Sequence, residues 1–159
     1  MTDTVEIKKI IEIFNSVSLE IFAQMTQCKV EAGKAYEEKR VYQPNEYSIV
    51  IGVAGRYEGV VAMSMREETA LHIASSMMGN MPLTQFNPMA ESAIGELVNV
   101  IVGRAFSQLA GEMATSITPP TFIKGRDVSL SVGEVQKTYV ITLHTDKGDI
   151  DVIISLFLK

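Results

Sequence analysis

A hydroxyl, a carboxylate and a carboxamide recur at helical spacing in one stretch of the chain: Ser92, Glu96 and Asn99, followed by Gly103. An ionised carboxylate only accepts hydrogen bonds and pairs with cations; a carboxamide accepts and donates at once. At about 100° per residue the four positions fall within an arc of roughly 60° on a helix. Asn and Gly are poor formers of mid-helix, so Asn99 and Gly103 weaken the element locally. A flat stripe with a glycine lets a second backbone or side chain come close. The Glu-x-x-Asn pair alone is a short pattern that recurs by chance. Glu12 and Asn15 form another.

The element that must position these groups reads as one long helix from Asn87 to Gly111. Asn87 suits the N-cap, and Pro88 suits the first helical position, where a missing N–H is harmless. Glu91 falls near the positive end of the helix dipole, and Gly111 is a stop signal. Ile94, Leu97, Val98, Ile101, Ala105 and Leu109 line the opposite side, an ordinary core stripe.

The chain has 159 residues, 47% hydrophobic and 21% charged, which suits one domain spanning 1–159 with a proper core. Its formal net charge is -5 and its pI about 5.1, which argues against nucleic acid and anionic membrane as partners. The single cysteine, Cys28, has no internal partner and reads as a small buried hydrophobe. His72 and His144 stand far apart without neighbours at metal-ligand spacing, so no metal site and no Ser-His-Asp arrangement is expected. There is no apolar run of membrane-spanning length and no signal pattern at the N-terminus, and the cytoplasm is the expected compartment.

Taken in order, Thr4 to Thr26 reads as an amphipathic helix with Asn15 at its edge. Lys29 to Tyr42, with its charge run Glu37-Glu38-Lys39-Arg40, reads as a connection plus an exposed edge strand. Tyr47–Ala54 and Glu58–Met65 form a hairpin around Gly55-Arg56-Tyr57. A helix over Arg66–Met78 ends at Gly79, and a loop with Pro82 leads into the long helix. After Pro119-Pro120, short strands are expected over Thr121–Lys124 and Val128–Val132. A final hairpin, Tyr139–Thr145 and Ile150–Leu158, turns at Asp146-Lys147-Gly148. The nearly all-apolar last strand should be covered on both faces. The pattern predicts an α+β fold: an antiparallel sheet with long helices packed on one face, in two halves similar enough to suggest an old duplication.

Ile51–Met65, Ala70–Gly79, Ile94–Gly103 and Pro119–Gly125, in that order, resemble the CheC/CheX/FliY family of bacterial chemotaxis phosphatases, and its CheX branch most closely. The resemblance covers nearly the whole chain. It implies a pseudo-duplicated CheC/CheX-like architecture and an enzyme that removes the phosphoryl group from the aspartyl phosphate of a CheY-like response regulator. The family motif is Ser or Asp, three residues, Glu, two residues, Asn, then a distant Pro. Ser92, Glu96 and Asn99 match it; Pro120 follows two residues early. The resemblance makes Glu96 and Asn99 catalytic, and Ser92, Gly103 and Pro120 partner-binding. Lys8 stands where a second motif on the first helix would need Ser or Asp, so the role does not extend to Asn15. The resemblance also implies a homodimer joined through its sheets. No cofactor of the chain's own is implied, and Mg2+ is expected on the partner receiver domain.

In that chemistry Asn99 would orient a water in line with phosphorus, Glu96 would pair with a cation of the receiver, and Ser92 would support the contact. All this requires the stripe to face solvent. Two other readings remain: a non-catalytic receiver-binding or scaffold module of the same fold, and a small-molecule pocket lined by Met63, Met77 and Met81.

Overall fold

The computed structural model describes residues 2–39, 42–110, 115–125 and 137–158. Arg40, Gly111 and the strand expected over 128–132 lie outside the described residues. The elements are α1 (Thr2–Met25), β1 (Val30–Glu38), β2 (Tyr47–Gly55), β3 (Tyr57–Met65), α2 (Glu67–Met77), α3 (Pro88–Ala110), β4 (Thr115–Ile117), β5 (Thr121–Lys124), β6 (Lys137–Thr145) and β7 (Gly148–Leu158). The strands form one antiparallel sheet in the order β1-β6-β7-β3-β2-β4, with β5 also paired to β2.

That order is a palindrome of the two halves. β1 follows α1 and flanks β6; β4 and β5 follow α3 and flank β2; β3 and β7 meet in the middle. This supports the duplication read from the sequence. Alternation along the strands divides the sheet into two faces. Ile49, Ile51, Met63, Val152 and Ile154 face a core completed by Ile10, Phe14, Val17 and Ile21 of α1 and by the apolar side of α3. Phe14 and Phe106 meet edge to face at 5.6 Å, a geometry worth about 1 kcal/mol beyond burial alone. The other face holds a smaller cluster of Tyr42, Ala62, Val140 and Ile153. Beside it, hydroxyls satisfy one another: Ser48 donates to Ser64 at 3.0 Å, and Thr142 donates to Asp151 at 2.8 Å.

The last strand is apolar because it is central, paired to β6 on one side and β3 on the other. Its composition therefore carries no evidence about subunit contacts. β1 is an edge strand, as its charges suggested. Two readings need correction. Tyr57 opens β3 instead of sitting in the turn: its ring is buried and its hydroxyl donates to Glu6 at 2.6 Å. β4 was not anticipated; three residues are too few to show a period.

Candidate functional site

The start of α3 is held at several points. Asn87 caps it, its side-chain oxygen accepting from the Ala90 N–H at 2.8 Å. Glu91, in the first turn, accepts from the Tyr47 hydroxyl at 3.0 Å. The Tyr47 ring lies against Phe86, with centroids 4.3 Å apart, and near Phe122. Burial, and then the bond to Glu91, push the Tyr47 phenol well above its ordinary range, so it stays protonated and remains a donor. The helix is thereby tied to β2 before the site begins.

Ile94, Leu97, Val98, Ile101, Ala105 and Leu109 are all buried. With that side fixed inward, the helical period turns the opposite side to solvent. Ser92 and Glu96 are exposed, while Asn99 and Gly103 are half-buried. The neighbouring carboxylates are engaged: Glu91 with Tyr47, Glu20 with Arg104 at 3.2 Å, and Glu67 with Lys124 at 3.6 Å. No side-chain hydrogen bond or ion pair engages Glu96 or Asn99 among the described residues. The stripe thus presents a charge and a carboxamide with their bonding capacity unspent.

The fifth residue, Pro120, is remote in sequence but not in space. Thr118 is clamped to β2: its N–H donates to the Gly52 carbonyl at 2.9 Å, and its hydroxyl accepts from the Gly52 N–H at 2.8 Å. Ile117 pairs with Val53 and Thr121 with Val50, so the segment between them has one residue more than β2 opposite it. Pro119 and Pro120, lacking N–H groups, bulge from this edge. Pro120 and Phe122 come to rest on α3 over Gly95, while Ile117 approaches Gly103. All five residues singled out by motif are therefore brought to one side of α3.

Sequence reasoning missed Gly95, Phe122 and the Thr118–Gly52 clamp. A signal existed for the first: Gly95 and Gly103 stand one turn before and one turn after Asn99.

Other candidates fare differently. Cys28 is buried, and burial pushes its thiol up, which suits an inert side chain. His72 lies on the open side of α2, 3.9 Å from Glu68, and His144 sits on β6 beside Asp149 at 2.9 Å. Among the described residues no group of three or more His, Cys, Asp or Glu gathers as a metal site. No described helix is long and apolar enough to cross a membrane. Met63 is buried in the core whereas Met81 and Met89 are 48% and 60% exposed, so the methionines do not gather around one cavity.

Comparison with known proteins places the chain in a family. Residues 47–144 match the family model described as chemotaxis phosphatase CheX. The CheY-P phosphatase CheX of Thermotoga maritima is 34% identical over 122 residues, covering 76% of this chain and 79% of that protein. A chemotaxis protein CheX from Desulfovibrio desulfuricans shares the fold, with a TM-score of 0.82 at 21% identity, over 94% of this chain and 99% of its own. CheX in the CheX–CheY–BeF3–Mg2+ complex from Borrelia burgdorferi superposes with a TM-score of 0.74 at 25% identity, over 92% of this chain and 96% of its own. With the family model covering more than half its length, this chain belongs to the CheX family of chemotaxis phosphatases.

Proposed function

We propose that this protein, as a single CheX-like domain over 1–159, hydrolyses the aspartyl phosphate of a CheY-like receiver domain. The observation that carries the reading is the solvent-facing stripe of α3, on which Glu96 and Asn99 stand without side-chain partners among the described residues. Kinship with a CheY-P phosphatase and with the CheX partner of a CheY complex supports the choice of substrate.

An aspartyl phosphate is a reactive acyl phosphate, so the chain has no covalent intermediate to form. What remains is positioning and charge. Asn99 accepts a hydrogen from a water and donates to a phosphoryl oxygen, which sets the water in line with phosphorus. Glu96, on an exposed face, pairs with a cationic side chain beside the receiver's phosphoaspartate and fixes the register of the two proteins. Ser92 and Pro120 border the contact, and Gly103 leaves room beside Asn99. The Mg2+ belongs to the receiver, held by its carboxylates, and supplies neutralisation of the phosphoryl oxygens.

The protein acts in the cytoplasm, where its substrate is made, and as a homodimer. Among the described residues no strand pairs with the outer edge of β1, which is compatible with sheet-to-sheet association. Light scattering tests this: a mass of twice 17.5 kDa is expected, and the monomer mass would refute it.

The activity is tested by following loss of label from a ³²P-phosphorylated receiver. Added protein should accelerate the decay catalytically. A protein that binds the receiver and leaves its decay unchanged would instead be a scaffold module.

A further inference from the structure

We infer that Gly95 is a positioning residue of the phosphatase site: its missing side chain seats the Pro120–Phe122 segment beside Asn99. This inference rests on the phosphatase reading and adds to it a residue outside the Ser-x-x-x-Glu-x-x-Asn pattern. A Cβ at Gly95 would stand 2.9 Å from the Phe122 ring tip and 3.2 Å from Pro120 Cγ. Both distances are too short for carbon atoms, which settle at about 3.5–4.0 Å. Pro120 has no flexible end to move aside, and Phe122 is half-buried. Phe122 is held near the buried Tyr47 ring, and Pro120 is a ring closed on its own backbone.

The segment can yield only toward solvent. On its other side it is clamped by the paired hydrogen bonds between Thr118 and Gly52, and it is paired to β2 on both flanks, at Ile117 and at Thr121. Any Cβ at Gly95 therefore tilts the bulge carrying Pro120 about this anchor. Asn99 is half-buried and lies one turn further along the helix, between the approach of Pro120 and Phe122 to Gly95 and that of Ile117 to Gly103. Its carboxamide takes its orientation from a wall whose position Gly95 sets. The requirement is local: at Gly103, on the far side of Asn99, a Cβ would meet Ile117 at an ordinary 3.7 Å.

The helix itself does not ask for glycine. Alanine is the better former in mid-helix, so Gly95→Ala should leave α3 at least as well formed. A lost activity in this variant would then report geometry instead of unfolding, and a thermal melt beside each assay checks it. The test is single-turnover and steady-state hydrolysis of the phosphorylated receiver by wild type, Gly95→Ala, and Gly95→Ala combined with Phe122→Leu.

The expected result is a kcat lowered about tenfold or more in Gly95→Ala, since displacements near 1 Å can cost up to about 10²-fold. KM should change far less than kcat, because Glu96 still meets the receiver and Pro120 only borders the contact. Phe122→Leu removes the ring tip and should recover most of the loss. The Asn99 side-chain amide resonance should shift in Gly95→Ala and return in the double variant. An active wild type beside a fully active Gly95→Ala would overturn this inference alone. So would a loss that Phe122→Leu leaves in place, or one confined to KM. A wild type that leaves receiver decay unchanged would overturn the phosphatase reading, and this inference with it.

Discussion

Helices α1 and α3 carry the same Glu-x-x-Asn spacing, yet they present it to opposite effect. In the register that aligns Glu12 with Glu96, Asn15 aligns with Asn99, and the Arg104–Glu20 ion pair joins two corresponding positions. The helices are thus related as the sheet halves are. On α3 the positions one turn either side of the asparagine are Gly95 and Gly103; on α1 they are Ile11 and Leu19. Both of those side chains are half-buried and occupy the room that the glycines leave open. The Asn15 side-chain oxygen is buried without a hydrogen-bond partner among the described residues, whereas Asn99 is half-buried between two exposed or half-buried stripe positions. Lys8 stands in place of Ser92, adding a charge where α3 has a hydroxyl. The β-segments differ too. Next to α3 two prolines bulge from the sheet edge, whereas β1 absorbs a register shift between Ala32 and Ala35 with Gly33 packed toward Thr142 and His144. A two-residue pattern becomes a site only where its flanks let a partner approach.

Charge reversal is the strongest way to sharpen that difference. Glu96→Lys should raise KM for the phosphorylated receiver about 10²-fold, since it replaces an attraction by a repulsion at a close charge pair. Glu12→Lys, in the same assay, should leave KM within about twofold. Equal effects at the two positions would erase the distinction between the helices.

Next in size are two changes to stability. Asn87→Ala removes the cap of α3 and should cost about 1 kcal/mol in urea unfolding. Asn15→Leu removes a buried acceptor that has no partner among the described residues and should stabilise the fold by about 1 kcal/mol. A destabilised Asn15→Leu would mean that the Asn15 oxygen has a partner after all.

A pH dependence follows at the α1 end. Burial, and then the bond to Glu6, push the Tyr57 phenol from 10.0 up to about 12. Because the folded value lies above the unfolded one, this contribution is whole below pH 10 and is lost as pH rises toward about 12. Tyr57→Phe should flatten that part of the alkaline stability curve, measured by urea unfolding at each pH.

The sequence made some of this plain and hid the rest for physical reasons. The two sides of α3 were legible because Asn87-Pro88 sets where the helix begins and a 3.6-residue period then decides every later position. The β2–β3 and β6–β7 hairpins were legible because strand and turn are adjacent in the chain. The arrival of Pro120 at Gly95 was not legible in spacing alone, since it depends on β4 and β5 both pairing with β2. Gly95 was harder still. A glycine beside a polar stripe signals that something comes close, but not that the visitor is Phe122 from the same chain.

The central claim is that Asn99, and not its counterpart on α1, places the attacking water. The direct measurement is single-turnover dephosphorylation of the receiver at saturating protein, with Asn99→Ala and Asn15→Ala compared side by side. The rate should be about 10²-fold lower for Asn99→Ala, with receiver affinity kept, and near wild type for Asn15→Ala. A wild-type rate in Asn99→Ala, or equal losses in both variants, would contradict that claim.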